Sequence, residues 1–310
     1  MTLQLVNQLL QQFRNGQSVL NNPSKILFEG VEGFDVYNPT APFKWNGETY
    51  VIGRVEKRDS EHSKAVFFTL NDKGNYSPKA EIPQYTLQDP YVSFIDDKIV
   101  FGGTEIFSHP EDPNHLGWRA KFYYGTDLTN LEELTTGPEG MKDIRIVQLN
   151  DGKIAVFSRP QGQKGGRGKI GFAIINKLTD LTASVIYDAP LLEQFNDEEW
   201  GGCNEATLLS NGKIGVLGHI AKFSEGDVRH YYPMTFCLDP LTGEYSEMKI
   251  IAERANFLPG PAKRPDLEDV LFSAGLVRNN AGKATLYTGV SDAEVQSIDI
   301  IDPFLEYEKE

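Results

Sequence analysis

Long hydrophobic runs, cysteines and positive charge are all scarce in this sequence. No stretch approaches the roughly 18 continuous apolar residues that a membrane-spanning helix needs, so no membrane partner is expected. The cysteines, Cys203 and Cys237, have neither C-x-x-C spacing nor clustered histidines, which argues against a disulfide framework or a zinc site and predicts two buried, small apolar residues. With 30 Lys and Arg against 44 Asp and Glu, the formal net charge of -14 opposes nucleic-acid binding, whereas a few local cations can still hold a single small phosphate.

The N-terminal stretch lacks the features of a secretory leader. MTLQLVNQLLQQFRNG has no basic segment followed by a compact apolar one, and its apolar residues at positions 5, 9, 10 and 13 suit one face of a short helix. We therefore predict a packed helix, an N-terminal helical extension over residues 1–29, and a cytoplasmic protein.

What the sequence does contain is one pattern in five copies. Each copy has a polar residue, an apolar strand, a tight polar or glycine turn, and a second apolar strand. The copies are NPTAPFKWNGETYVIG from Asn38, DPYVSFIDDKIVFGG from Asp89, DIRIVQLNDGKIAVFS from Asp143, NEATLLSNGKIGVLG from Asn204, and a looser SAGLVRNNAGKATLYTG from near Ser273. Their turns are predicted at residues 46–47, 96–97, 151–152, 211–212 and 280–282.

The spacing of these copies predicts the fold. Their leading residues are separated by 51, 54, 61 and about 69 residues, and apolar segments between them, such as AVFFTL and KIGFAII, supply enough strands for four per copy. Radial repeats of four-stranded sheets form a β-propeller, so we predict an all-β chain with a five-bladed β-propeller over residues 30–310. In such a fold the first residue of each innermost strand faces a cavity at the mouth of a central channel. This placement explains why Asp89 is followed by Pro90, which has no N–H to pair.

Five segments, in order, resemble the mannosyltransferase/phosphorylase family that acts on β-1,2-mannosides, which is related to the inverting mannoside phosphorylases of glycoside hydrolase family one hundred and thirty. The resemblance runs from about residue 30 to residue 300, and the segments are NPTAPFKWNGETYVIGRVEKRDSEHS, QDPYVSF, MKDIRIVQLNDGKIAVFSR, GGCNEATLLSNGKIGVLGH and LYTGVSDAEV. Gln88 and Tyr91 stand where Glu and Arg are usual in the family. The resemblance implies a five-bladed propeller enzyme without a cofactor. Its expected reaction is the inverting phosphorolysis of β-mannosides, β-1,2-linked above all, to give α-mannose 1-phosphate.

The resemblance also implies roles for individual residues. Asp89 matches the family's catalytic Asp, which supplies the proton to the leaving oxygen, in that family by way of a sugar hydroxyl. Phosphate contacts are implied for Arg54, Lys142, Arg159, His219 and Tyr231, and sugar contacts for Asn38, Asp143, Asn204, Glu205 and Asp292. Because several carboxylates would meet at one channel mouth, we expect repulsion between them to raise the pKa of at least one.

Several other functions fit the same residues. A hydrolase on a related propeller, or a transferase using a nucleotide-mannose donor, would share the site; a non-catalytic sugar-binding propeller would not need Asp89, and an interaction scaffold would expose an apolar patch.

The glycine-rich QGQKGGRGK lacks the P-loop pattern and is interpreted as a blade loop. Of the three tryptophans, Trp45, Trp118 and Trp200, only Trp200 is singled out as a sugar-stacking candidate. The expected partners are an oligosaccharide and inorganic phosphate, and residues 1–14 are the candidate surface for a homo-oligomer.

Overall fold

The computed structural model describes residues 5–16, 18–108, 116–279 and 281–309, and antiparallel strands dominate it. This confirms the predicted all-β class. Helix α1 (Val6–Asn15) and strand β1 (Val19–Lys25) come first. Five groups of antiparallel strands follow, and each contains one of the repeated hairpins predicted from the sequence.

The five groups follow one another along the chain. The first contains β2 (Asp35–Tyr37), β3 (Phe43–Trp45), β4 (Glu48–Glu56), β5 (Ser63–Leu70) and β6 (Tyr76–Pro78), and the second β7 (Gln88–Ile95), β8 (Lys98–Ser108), β9 (Leu116–Gly125) and β10 (Glu132–Glu139). The third contains β11 (Arg145–Gln148), β12 (Ile154–Ser158), helix α2 (Gly162–Gly165), β13 (Gly171–Ile175) and helix α3 (Ala183–Asp188). The fourth contains β14 (Glu199–Leu208), β15 (Ile214–Phe223), β16 (Arg229–Leu238) and β17 (Lys249–Ile250), and the fifth β18 (Asp269–Arg278), β19 (Lys283–Val290) and β20 (Glu294–Ile301). Single-turn 3₁₀ helices cover Leu178–Asp180, Glu225–Asp227, Arg254–Asn256 and Pro265–Leu267.

The hairpin turns lie where the sequence predicts them. The first turn has φ of 47° at Asn46 and 85° at Gly47, the two positive values that a type I′ turn requires. Of the fifth turn, residue 280 lies outside the described residues. The third group differs from the expectation of four strands, because it pairs only three and helix α3 places Ile186 in the core beside them.

The N-terminal segment joins the last group of strands. Within the predicted extension 1–29 the helix covers only residues 6–15, and β1 pairs antiparallel with β20, whereas residues 1–4 and 17 lie outside the described residues. Helix α1 buries Val6, Leu9 and Leu10 against the core, because its apolar residues recur at helical spacing on one face. This is the longest helix of the described chain, and it is too short to cross a membrane.

Apolar clusters join each group of strands to the next. Parallel pairing between β16 and β18 is limited to two residue pairs, so side-chain packing rather than the hydrogen-bond ladder holds neighbouring groups together. The first and fifth groups also meet, since a Cβ added at Gly289 would lie 2.1 Å from Oδ1 of Asn38. The clusters that link successive groups include Ile52 with Phe101, Val100 with Val156, Phe157 with Phe236, and Leu217 with Leu286. Cys203 and Cys237 are buried in two of these clusters, as predicted.

Candidate active site

The residues that begin the repeated hairpins, called rim residues below, were predicted to face the mouth of the channel. Three of them share an unusual backbone conformation. Asn38, Asp89 and Asp143 have φ of 43°, 47° and 58°, in the left-handed region that few residues other than glycine adopt. Each occupies the equivalent position in its group, and strained backbone of this kind concentrates at functional sites. The fourth, Asn204, instead occupies a β-bulge of β14. Its neighbours Cys203 and Glu205 pair with successive residues of β15, and Asn204 is the extra residue between them.

These rim positions surround a cavity of about 220 Å³. Nine of the eleven predicted site residues line it, namely Asn38, Arg54, Asp89, Lys142, Asp143, Arg159, His219, Tyr231 and Asp292. All five groups of strands therefore contribute residues to one space.

Other residues of the cavity wall were not predicted as site residues. Charged side chains come from Glu61, Arg229, Lys263 and Arg264, and an apolar side from residues 267 and 270–272. Lys263 and Arg264 lie in an irregular loop before β18 that has no counterpart in the other copies, so the repeat could not indicate them. Glu61 did carry a signal, because it lies in RDSEHS, the end of the first segment that resembles the mannosyltransferase/phosphorylase family.

Asp89 is held between two cations. Its Oδ1 accepts hydrogen bonds from Nη1 of Arg54 at 3.1 Å and from Nδ2 of Asn38 at 2.9 Å, and its Oδ2 lies 4.0 Å from Nζ of Lys142. Burial would raise the pKa of Asp89, but Arg54 and Lys142 outweigh burial and lower it. Arg54 and Lys142 therefore keep Asp89 ionised at neutral pH.

The carboxyl group of Asp292 behaves in the opposite way. Burial raises the pKa of Asp292 by more than Arg54 lowers it, and the nearby Asp89 raises it further. One carboxyl of the group does have a raised pKa, but it is that of Asp292 rather than Asp89, and burial contributes more to it than the expected repulsion between carboxylates. Asn38 links the two carboxylates, since its Nδ2 also lies 3.3 Å from Oδ1 of Asp292.

Arg54 is the centre of a buried ion network. Its Nε donates to Oε2 of Glu56 at 2.6 Å, while Nη1 is occupied by Asp89 and the guanidinium lies 4.7 Å from the ring centre of Tyr37. Glu56 also pairs with Nζ of Lys263 at 3.1 Å. Because protein acceptors already take most of its donors, Arg54 is placed to hold the Asp89 carboxylate in position.

Lys142 and Arg159 form a second cationic group in the wall of the cavity. Nη1 of Arg159 donates to Oδ2 of Asp143 at 3.1 Å, and Nζ of Lys142 has only the 4.0 Å contact to Asp89 among its described ion pairs. Although burial alone would raise it, the pKa of Asp143 falls to about 2 because Arg159 and Lys142 favour the carboxylate. Burial and the neighbouring Arg159 lower the pKa of His219 to about 3, so this imidazole is neutral at neutral pH.

Tyr231 completes this group. Its ring stacks on His219 with ring centres 5.2 Å apart, and its hydroxyl oxygen accepts a hydrogen bond from Nε1 of Trp200 at 2.9 Å. The hydroxyl hydrogen is therefore available to an anion in the cavity. Lys142, Arg159 and Tyr231 thus provide converging donors for one small anion.

Asn204 and Glu205, both predicted as sugar contacts, do not line the cavity. Oδ1 of Asn204 is 2.8 Å from Nδ1 of His219, so Asn204 reaches the cavity only through that histidine. Oε2 of Glu205 accepts a hydrogen bond from the backbone N–H of Leu276 at 2.8 Å on β18. The β-bulge at Asn204 accounts for this placement, since an extra residue re-aims the side chains on either side of it.

Glu205 gives a pH-dependent prediction for stability. Burial raises its pKa to about 7. A carboxyl with a raised folded-state pKa stabilises the protein fully below its unfolded pKa, near 4.5, and this stability is lost as the pH rises through 7. Glu205→Gln removes this loss, so between pH 4.5 and pH 8 the variant should gain about 3 kcal/mol in unfolding free energy relative to the wild type. Denaturant unfolding of the variant and the wild type at pH 4.5 and pH 8 measures this change in unfolding free energy. Glu244→Gln, in an exposed turn, should show no such change, and a pH-independent difference for Glu205→Gln would contradict the prediction.

A larger cavity of about 480 Å³ adjoins the first and shares Gln88, Lys142, Arg159, Arg229 and Tyr231 with it. Trp118 and Trp200 both line this second cavity. Trp200 is 4% exposed, however, so its ring packs against Tyr231 and Phe223 rather than presenting a free face. Trp45 lines neither cavity and stacks on Phe94.

Two further observations concern a possible metal site and the glycine-rich segment. Among the described residues, no three His, Cys, Asp or Glu side chains are arranged to hold a metal ion. The glycine-rich segment 161–169 forms the single turn of α2 and a loop, and Arg167 at its end lies 5.3 Å from the ring centre of Phe223.

Comparison with known proteins relates this geometry to characterised enzymes. The chain is 37% identical to MPT-4, a mannose phosphorylase from Leishmania mexicana whose structure contains a phosphate ion, with 96% of this chain and 93% of that one covered and a TM-score of 0.88. It is 32% identical to MPT-1, a GDP-Man-dependent mannosyltransferase from the same organism, with 97% and 95% covered and a TM-score of 0.87. It is also 24% identical to the 4-O-beta-D-mannosyl-D-glucose phosphorylase of Bacteroides fragilis over 278 residues, which are 81% of this chain and 69% of that protein.

The resemblance seen in the sequence motifs is thereby confirmed. Residues 11–306 also match the family described as "Protein of unknown function (DUF1861)". The chain therefore belongs to this family and is homologous to the mannose phosphorylases and mannosyltransferases.

Proposed function

We propose that this protein is an inverting β-mannoside phosphorylase. The observation that carries the proposal is the position of one acid, Asp89, in the same small cavity as the donor group formed by Lys142, Arg159 and Tyr231. Phosphorolysis needs these two parts: a proton for the leaving oxygen, and cations that hold phosphate beside the anomeric carbon.

The proposed reaction is a single displacement. An oxygen of monohydrogen phosphate forms the new bond to the anomeric carbon of the mannosyl unit as the bond to the leaving sugar breaks on the opposite face. Asp89 supplies the proton that the leaving oxygen gains, and the proton carried by phosphate restores the balance. One displacement inverts the configuration, so a β-mannoside gives α-mannose 1-phosphate.

The lowered pKa of Asp89 is consistent with this role once phosphate is included. Arg54 and Lys142 by themselves hold Asp89 as a carboxylate. A phosphate dianion bound beside Lys142 adds negative charge close to Asp89 and competes for the same cation, and both effects favour the protonated acid. We therefore expect Asp89 to acquire its proton when phosphate binds.

The sugar side of the cavity is assigned to Asn38 and Asp292. Asn38 lines the cavity and directs its Nδ2 toward Asp89 and Asp292, while its Oδ1 packs against Gly289. The carboxylates of Asp292 and Asp89, on either side of this amide, provide acceptors for sugar hydroxyls. The preference for β-1,2-linked substrates follows from the family resemblance and forms part of the proposal.

We also propose that the five groups of strands are the blades of a five-bladed propeller. The order of the groups, the apolar clusters between successive groups, and the contact of Gly289 with Asn38 across the first and last groups support a closed ring. In that arrangement the rim residues meet at one end of the central channel.

Incubation with short β-mannosides, with and without inorganic phosphate, tests the function. We expect a sugar 1-phosphate to form only when phosphate is present, and β-1,2-mannobiose to react faster than β-1,4-linked mannobiose. Release of free mannose regardless of phosphate would identify a hydrolase. Because MPT-1 is a GDP-Man-dependent mannosyltransferase, transfer from GDP-mannose should be measured in the same experiment. Mannosyl transfer without any phosphorolysis would identify a transferase.

A further inference from the structure

We infer that Asn204 is a positioning residue that fixes the tautomer of His219, so that the Nε2 lone pair faces the cavity and accepts the P–OH hydrogen of monohydrogen phosphate. The inference rests on the proposed phosphate site. It goes beyond that site by naming the P–OH hydrogen of the anion as the feature recognised, which would make sulfate bind more weakly than phosphate.

The first step is the placement of Asn204. It lies at the β-bulge of β14, where an extra residue breaks the regular alternation, and its side chain turns toward β15. Oδ1 of Asn204 is 2.8 Å from Nδ1 of His219, and both residues are more than 95% buried. Asn204 therefore contacts the imidazole from the side away from the cavity, while His219 itself lines the cavity.

The second step is the tautomer. An amide oxygen only accepts hydrogen bonds, so Nδ1 of His219 carries the hydrogen and Nε2 carries the lone pair. The pKa of His219, lowered to about 3, keeps the ring neutral at the pH at which phosphate is a nucleophile.

The third step is the unused atom. Nε2 of His219 is buried and has no hydrogen-bond partner among the described residues. A buried acceptor of this kind is unfavourable unless something donates to it. Lys142 and Arg159 satisfy phosphate oxygens that carry charge, but neither can recognise the one oxygen that carries a hydrogen.

A site that recognises this P–OH hydrogen distinguishes monohydrogen phosphate from sulfate, an anion of similar size. Monohydrogen phosphate has one P–OH group, which can donate to Nε2 while its other oxygens face Lys142, Arg159 and Tyr231. Sulfate at neutral pH has no hydrogen to donate, so one of its oxygens would face the lone pair. An unsatisfied buried acceptor predicts at least about tenfold weaker binding of sulfate. Arsenate, which carries an As–OH group, should bind like phosphate.

Calorimetric binding of phosphate, sulfate and arsenate to the full-length chain at pH 7 tests the inference without relying on turnover. We expect the wild type to prefer phosphate over sulfate by at least about tenfold. In Asn204→Asp the new carboxylate stabilises the imidazolium, so Nε2 becomes a donor and the preference should fall to nearly one. Asn130→Asp, the same change in an exposed turn, should keep the wild-type preference.

His219→Phe provides a second test that keeps the stacking on Tyr231 but removes the lone pair. Its phosphate affinity should fall to the level of its sulfate affinity, so the inference stays testable even if Asn204→Asp does not fold. An unchanged phosphate preference in either folded variant, or equal binding of phosphate and sulfate by the wild type, would overturn the inference. Selective phosphate binding without turnover of any mannoside would instead refute the proposed function and leave the inference standing.

Discussion

Asp89→Asn should lower the rate of mannoside phosphorolysis by about 10²–10⁴-fold, the usual contribution of a positioned general acid. Asn has nearly the same shape, and its Oδ1 can still accept from Nη1 of Arg54 and Nδ2 of Asn38. The fold and the cavity should therefore survive while the transferable proton is lost. The predicted signature is a large fall in kcat with a much smaller change in the apparent affinity for the mannoside.

The control for this variant lies on the same hairpin. Asp97→Asn makes the same chemical change in the exposed turn between β7 and β8 and should leave kcat unaltered. Steady-state assays of sugar 1-phosphate formation, with binding of the mannoside measured separately, distinguish the two effects. Turnover by Asp89→Asn within a fewfold of the wild type would remove Asp89 from the mechanism and favour a sugar-binding role for the cavity.

The rim of the site could be predicted because its signal is local and repeated. A polar residue before an apolar strand and a tight turn recurs with Asn38, Asp89 and Asp143, and the structure gives all three the same left-handed backbone. Local chemistry fixes these hairpins: the turn residues select the turn and the alternation selects the face. Once the hairpins are equivalent, their first residues occupy equivalent places.

The remaining features depend on contacts that no local pattern records. The β-bulge at Asn204 turns Glu205 toward Leu276, and an extra residue in a strand leaves no mark on apolar alternation that is distinguishable from noise. The ionised state of Asp89 depends on Arg54 and Lys142, which lie 35 and 53 positions away in the sequence. Lys263 reaches the ion network from an irregular loop, where spacing carries no information.

Arg54→Met should have the largest effect on stability of any single change in the site. Arg54 is 4% exposed and pairs with two carboxylates that are also buried, those of Glu56 and Asp89. Methionine fills much of the same volume, but Glu56 then keeps only Lys263 as a cation beside the Tyr37 hydroxyl, and Asp89 only the more distant Lys142 beside the Asn38 amide, among the described residues. Removing one partner of a buried ion pair costs about 3–5 kcal/mol, because the charge left behind remains out of water.

The loss should appear as a fall in Tm of about 6–10 °C, given about 2 °C for each kcal/mol in a chain of this size. Arg58→Met is the matched control, because Arg58 lies on the same stretch of chain and pairs with Asp35 at the surface, where its side chain is 43% exposed. An exposed pair contributes about 0–1 kcal/mol, so Arg58→Met should lower Tm by no more than about 2 °C. Equal shifts for the two variants would mean that water reaches the carboxylates around Arg54, and the ionised state of Asp89 would then not depend on its pairing with Arg54.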